Sequence, residues 1–146
     1  MLIWIGFYLL ALFATAWFVF LYRKKQIIKL IDCGLDIGPG WHRLVMDLTE
    51  EIYLKLRDYG FSYKDFQVVQ IKEKFGGLRY YYHWVSEKKR SQYLETDIER
   101  MVRDFEGLSI ETCEVCGKPG KREQVNRGGW ISTLCPSCKE KRQNKQ

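Results

Sequence analysis

Apolar and polar residues fall into successive patterns along the chain, each predicting a different element. Residues 2 to 22, LIWIGFYLLALFATAWFVFLY, are 21 positions without a charge. As a helix rising ~1.5 Å per residue they would reach roughly 31 Å, close to the ~30 Å hydrocarbon core of a bilayer. Trp4 and Tyr8 near one end and Trp17 and Tyr22 near the other are the amphipathic rings expected toward the two interfaces. Arg23, Lys24 and Lys25 follow at once, so the pattern predicts a transmembrane helix over residues 1–22 and a basic juxtamembrane segment over 23–31 that also includes Lys29. The positive-inside bias then puts the N-terminus outside and the rest in the cytoplasm. Ala14-Thr15-Ala16 has the small-x-small form of a leader cleavage site, but no basic region precedes the apolar run and six more apolar residues follow it.

Beyond the cations the period changes. Trp41, Leu44, Val45, Leu48, Ile52, Leu56 and Tyr59 recur at helical spacing, and Gly60-Phe61 offers a stop with an apolar residue to fold back. This predicts a helix over 41–59. Residues 66 to 85 alternate around Gly76-Gly77, a β-hairpin signal that pairs Phe75 with Leu78, Glu73 with Tyr80, Ile71 with Tyr82 and Val69 with Trp84. One face is then apolar apart from Glu73, and the other carries Gln70, Lys72, Lys74, Arg79, Tyr81 and His83. Leu94, Ile98, Met101, Val102 and Phe105 predict a second helix over 90–107. Helix, hairpin and helix make a small α+β domain over 32–108.

Cys113-x-x-Cys116 and Cys135-x-x-Cys138 stand 18 residues apart, the spacing of a zinc ribbon over 109–138. Two turns that each present two sulfurs meet the tetrahedral preference of Zn²⁺ at ~2.3 Å per sulfur, and four thiolates close the shell, as in structural sites. Gly117, Pro119, Gly120 and Pro136 supply turn chemistry, Gly128-Gly129 a hairpin turn, and Trp130, Ile131 and Leu134 apolar cover. A cytoplasmic location argues against disulfides. Cys33 has no basic neighbourhood to activate it and is expected as a small packed residue. Residues 139–146 are polar without periodicity, which predicts a frayed tail.

Charge modifies the picture. The net +6 divides into +4 over residues 23–31, −3 over 32–112 and +5 over 113–146, so both ends are basic around a slightly acidic middle. That distribution excludes a uniformly basic nucleic-acid binder. His42 and His83 are the only histidines, no Ser/His/Asp or Cys/His arrangement is evident, and Gln70-Ile71-Lys72 is a faint echo of the acidic-x-Lys strand of metal-dependent nucleases. The chain is therefore expected not to be an enzyme, with Glu73, an acid on an apolar face, expected to pair with a cation.

The strings from Gln70 to Tyr81, from Ser109 to Gly120 and from Gly129 to Cys135, with the Cys33–Trp41 segment ahead of them, resemble a family of small uncharacterised proteins of bacteriophages, prophages and their hosts. The resemblance spans about residues 33 to 138 and implies a zinc-binding domain of mobile-element origin. Relatives often have His as the last ligand, where this chain has Cys138. Taken together, the expected protein is a single N-terminal transmembrane helix followed by a small α+β domain and a four-cysteine zinc ribbon, located in the bacterial inner membrane as a single-pass protein. There it is expected to contact the lipid bilayer and to engage a host or phage protein, in superinfection exclusion or interference with host defence. The alternative is nucleic-acid binding through Lys72, Lys74, Arg79 and Tyr81.

Overall fold

The computed structural model describes the backbone of residues 2–125 and 128–144 and the side chains of residues 14–125 and 128–144. The elements are α1 (Leu2–Leu30), β1 (Leu35–Asp36), α2 (His42–Asp58), β2 (Phe66–Lys74), β3 (Gly77–Trp84), α3 (Gln92–Ser109), β4 (Lys121–Gln124), β5 (Ile131–Leu134) and α4 (Pro136–Gln143), with a 3₁₀ turn at Pro39–Trp41 leading into α2.

The apolar run does form a helix, but α1 does not stop at Tyr22. It continues through Arg23, Lys24 and Lys25 to Leu30 as one element. Side chains from Ala14 to Tyr22 are exposed, whereas Gln26, Ile27 and Leu30 are buried against the domain. Arg23 pairs with Glu50 of α2, and the Lys29 ammonium lies 4.7 Å from the centre of the Tyr63 ring. The side chains of residues 1–13, the first part of the expected span, lie outside the described residues. Among the described residues no helix is long and apolar enough to cross a membrane. This overturns the transmembrane helix expected over 1–22, and with it the single-pass inner-membrane location. The physical reason lies in the basic segment: its four cations belong to the same helix, where charge is costly to a span, and two of them are engaged by the domain.

The two amphipathic helices form where the period placed them. At the end of α2, the Phe61 N–H donates to the Leu56 carbonyl at 2.9 Å and the Gly60 N–H to the Arg57 carbonyl at 3.0 Å. With Gly60 at φ +75° this is a Schellman stop, and Phe61 folds back into the core. At the start of α3 the Ser91 hydroxyl accepts the Leu94 N–H at 3.2 Å, an N-cap. Lys55 of α2 and Asp97 of α3 pair at 2.9 Å.

Both helices bury their apolar sides against a three-stranded sheet of order β1-β2-β3, with β1 parallel to β2 and β2 antiparallel to β3. Trp41, Val45, Leu48, Ile52, Phe66, Ile71, Leu78, Leu94 and Ile98 make the core. Tyr80 is buried there with its hydroxyl 3.0 Å from that of Thr49, and burial pushes its pKa up. The free edge of β3 is capped from α3: the Leu78 N–H donates to the Ser109 hydroxyl at 2.8 Å and the Tyr80 N–H to the Glu106 carboxylate at 3.0 Å. Those bonds stop the edge from templating a further strand.

The hairpin differs from its expected register. Lys74 pairs with Gly77 and Glu73 with Leu78, so the two-residue loop is Phe75-Gly76. Both loop residues have positive φ, 52° and 71°, the type I′ geometry that matches strand twist. A bulge at Val69 then shifts the pairing, giving Val68 with Tyr82 and Phe66 with Trp84 and leaving Val69 exposed. The faces survive both changes except at Val69. Among the described residues Glu73 meets no cation; its Oε1 accepts the Gly76 N–H at 2.6 Å and braces the turn.

The loop between α2 and β2 carries a buried carboxylate. Asp65 accepts the Ser62 N–H and hydroxyl, both at 2.8 Å, and meets the Lys88 ammonium at 3.0 Å. Burial opposes its charge, but these donors outweigh that cost and hold its pKa well below the usual carboxylate range. A depressed folded-state pKa means that the stabilisation is fully present above about pH 4 and is lost as pH falls further. Asp65→Asn is therefore expected to cost about 2 kcal/mol at neutral pH and to flatten the acid limb of a urea-midpoint profile. An unchanged acid limb in the variant would show that the loss of stability at low pH arises elsewhere.

Candidate metal centre and the open face of the hairpin

The four ribbon cysteines converge. Their sulfurs all lie within 4.8 Å of one another, and those of Cys116 and Cys135 are 3.6 Å apart. A disulfide would need ~2.05 Å, while two sulfurs on one tetrahedral ion at ~2.3 Å per bond stand about 3.8 Å apart. All four are free thiols, and the cluster could hold a metal ion.

Local backbone geometry explains the convergence. The Gly117 N–H donates to the Cys113 carbonyl at 2.9 Å, with Gly117 at φ +74°, closing a tight turn that points both of its sulfurs one way. In the second pair Cys135 precedes α4, whose first residue is Pro136, and the Lys139 N–H donates to the Cys135 carbonyl at 3.0 Å. The Ser137 hydroxyl and the Cys138 N–H pull the Cys135 thiol down to about 6, while the surrounding sulfurs, Cys135 first, push Cys138 up to about 12. Four thiolates this close repel one another, and a bound cation removes that repulsion.

The frayed tail expected over 139–146 is corrected here. Residues up to Gln143 belong to α4, and Lys145 and Gln146 lie outside the described residues. Lys139 pairs with Glu123 of β4 at 2.8 Å, and Arg142 bridges Glu114 at 3.2 Å and the Ser132 hydroxyl at 3.0 Å. These partners fold the polar end onto the ribbon, which sequence period could not show.

The ribbon is joined to the α+β domain by backbone. The Gly40 N–H donates to the Glu114 carbonyl at 2.8 Å, and the buried Trp41 indole to the Thr112 carbonyl at 2.7 Å. A Cβ on Gly40 would stand 2.1 Å from the Cys113 carbonyl oxygen, so only glycine permits this approach. On the other side the Thr133 hydroxyl donates to the Gly76 carbonyl at 2.6 Å, which ties β5 to the hairpin tip. Neither junction was foreseen, although Gly38-Pro39-Gly40 ahead of a tryptophan was the available signal. Cys33 is half-buried against the core and burial raises its pKa.

Lys72 and Arg79 are cross-strand partners on the outer face, as are Gln70 and Tyr81, and Gln67 and His83. The Lys72 ammonium sits 5.3 Å from the Tyr81 ring centre and that of Lys74 5.6 Å from Phe75. Arg79 is less available: it donates to the Leu78 carbonyl at 2.7 Å and faces Glu106 at 3.6 Å. Of the four expected basic residues near α1, Arg23 and Lys29 are held by the domain, Lys24 lies 4.9 Å from the Phe20 ring, and Lys25 is exposed. Trp130, expected as cover for the ribbon, is instead exposed beside Phe75. Compared with protein-family models, with curated proteins and with solved structures, the chain matches none.

Proposed function

We propose that the chain is a nucleic-acid-binding module in which Zn²⁺, held by Cys113, Cys116, Cys135 and Cys138, serves as a structural staple. Four sulfur ligands leave no position for a reacting water, so the metal's work is to hold the ribbon against the hairpin. The observation that carries the binding assignment is the outer face of β2 and β3. It presents Lys72, Lys74, Arg79, Tyr81 and His83, and the one acid in the two strands, Glu73, takes its place on the opposite face beside Leu78. On these two strands the outer face has cations and rings and no carboxylate, with Asp36 of the edge strand β1 beside Lys72, and such cations and rings complement a phosphate backbone and its bases. Most acids of the slightly acidic middle lie on α2 and α3, while Asp36 of β1 stands beside Lys72 and Glu106 of α3 faces Arg79, so Lys74 is the cation of this face with neither acid beside it. Resemblance to small phage and prophage proteins supports a mobile-element origin.

Fluorescence anisotropy with a labelled oligonucleotide tests this. Affinity should fall with salt, with a log–log slope of about −2 for three cations on a single strand. The double substitution Lys72→Ala and Lys74→Ala should weaken binding about tenfold and reduce that slope. Salt-insensitive binding, or binding of a host or phage protein by this face with no affinity for oligonucleotides, would remove the assignment.

A further inference from the structure

We infer that the cleft between the hairpin tip and the ribbon is a nucleobase slot that makes the module select single strands; this rests on the nucleic-acid assignment above. The cleft has a volume of about 290 Å³ and is lined by Phe75, Lys74 and Glu73 on one side and Trp130, Ile131 and the glycines 128 and 129 on the other. Pockets for drug-sized ligands start near ~300 Å³, so the space suits one planar group rather than a folded surface. Phe75 is 61% exposed and Trp130 53%. Two large rings, each more than half exposed on the rim of one cleft, are the arrangement that stacks bases.

Backbone strain at Phe75 points the same way. It adopts φ +52° at a turn position that asparagine or glycine would occupy without cost. An exposed aromatic in a left-handed conformation contributes nothing to the core and opposes local preference, the kind of outlier from which function is inferred. The turn holds it there: the Gly76 N–H is bonded to Glu73, the Gly76 carbonyl accepts from Thr133, and a Cβ on Gly76 would meet Ile131 at 3.0 Å. One wall of the slot therefore belongs to the hairpin and the other to the metal-stapled ribbon. Lys74, on the rim, continues the cationic row of Lys72, so a strand whose phosphates follow that row brings a base to the cleft. In a duplex the bases are stacked and paired, and none can enter.

The test compares a short thymidine homopolymer with the abasic strand of the same length, which keeps the phosphates and loses the bases. The full chain should prefer the base-bearing strand by about tenfold. Phe75→Asn, which suits the turn, should hold or raise the melting temperature while abolishing that preference, and Trp130→Ala should abolish it too. Neither should change the salt slope, whereas Lys72→Ala with Lys74→Ala should weaken both strands alike. If the preference survives in Phe75→Asn and Trp130→Ala, the slot is wrong and the phosphate-binding face stands. Should the native chain bind neither strand at low salt, the module assignment falls and the slot with it. Competition by N-acetyl-tryptophanamide where thymidine monophosphate fails to compete would overturn the nucleobase in favour of a protein side chain.

Discussion

Chelation of the metal, or Cys135→Ser, is expected to disorder the ribbon and lower the chain's stability by at least ~3 kcal/mol, on the order of ten degrees in melting temperature. The size of the effect follows from how small the apolar core of the ribbon itself is. The ribbon's own apolar cluster is Cys113, Leu134 and Cys135, with Val125 and Cys138 packed against it, so three of the four ligands are themselves part of that core. Its two short strands share four residue pairs, and an isolated two-stranded hairpin is marginal in water. Without the cation the thiols must also protonate, and the gathering of four sulfurs within 4.8 Å loses its cause. The α+β core, built on Trp41, Leu48, Ile52, Phe66 and Leu78, has its own packing and should stay folded. Elemental analysis should give one Zn²⁺ per chain. Amide spectra after chelation should then lose dispersion for residues 113–143 while signals from α2 and α3 remain. Unchanged melting and an intact spectrum in chelator would sink the proposed staple.

What the sequence made legible was whatever has a local cause. The helices expected over 41–59 and 90–107 are α2 (His42–Asp58) and α3 (Gln92–Ser109), because their apolar stripes and stop signals are local. The two faces of the hairpin were legible for the same reason, and the spacing of the cysteines brought the four sulfurs together as expected. Contacts between distant segments were not legible. Gly76-Gly77 looked like the hairpin turn, yet Gly77 lies within β3 as the partner of Lys74 and the loop is Phe75-Gly76; a Cβ on Gly77 would come within 3.3 Å of Ile110, a contact from a distant segment. The bulge at Val69 breaks an alternation that sequence alone extends without a pause. β1 is two residues long, too short to carry a period, and α4 owes its order to Glu114, Glu123 and Ser132 rather than to an apolar stripe. The transmembrane expectation failed on the segment after Tyr22, where three successive cations were read as the end of an element and proved to be its interior.

Gly40→Ala is expected to cost about 3–5 kcal/mol or more, a large penalty for one methyl group, and the reason is that its neighbours are backbone. The added carbon would stand 2.1 Å from the Cys113 carbonyl oxygen, 2.5 Å from the Gly117 nitrogen and 2.8 Å from the Cys116 nitrogen. A flexible side chain could swing away, but these atoms are the turn that aims two metal ligands. Relief therefore requires either separating the Gly38–Trp41 segment from the ribbon, with loss of the Gly40–Glu114 and Trp41–Thr112 bonds, or deforming the turn. Both routes predict a second consequence that a simple loss of stability lacks: weaker metal affinity, read by competition with a chromogenic chelator. Gly107→Ala is the control, since it lies inside α3 with nothing within 4 Å of the added carbon. There the substitution should raise stability by about 0.5–1 kcal/mol through helix propensity and leave metal affinity unchanged. Gly60→Ala should fall between the two: its space is also open, but φ is +75°, so strain alone costs about 1 kcal/mol. If Gly40→Ala instead behaves like Gly60→Ala in urea denaturation and keeps full metal affinity, then the close packing of this segment on the cysteine turn does not hold in solution, and the ribbon and the α+β domain are less tightly joined than their backbone contacts imply.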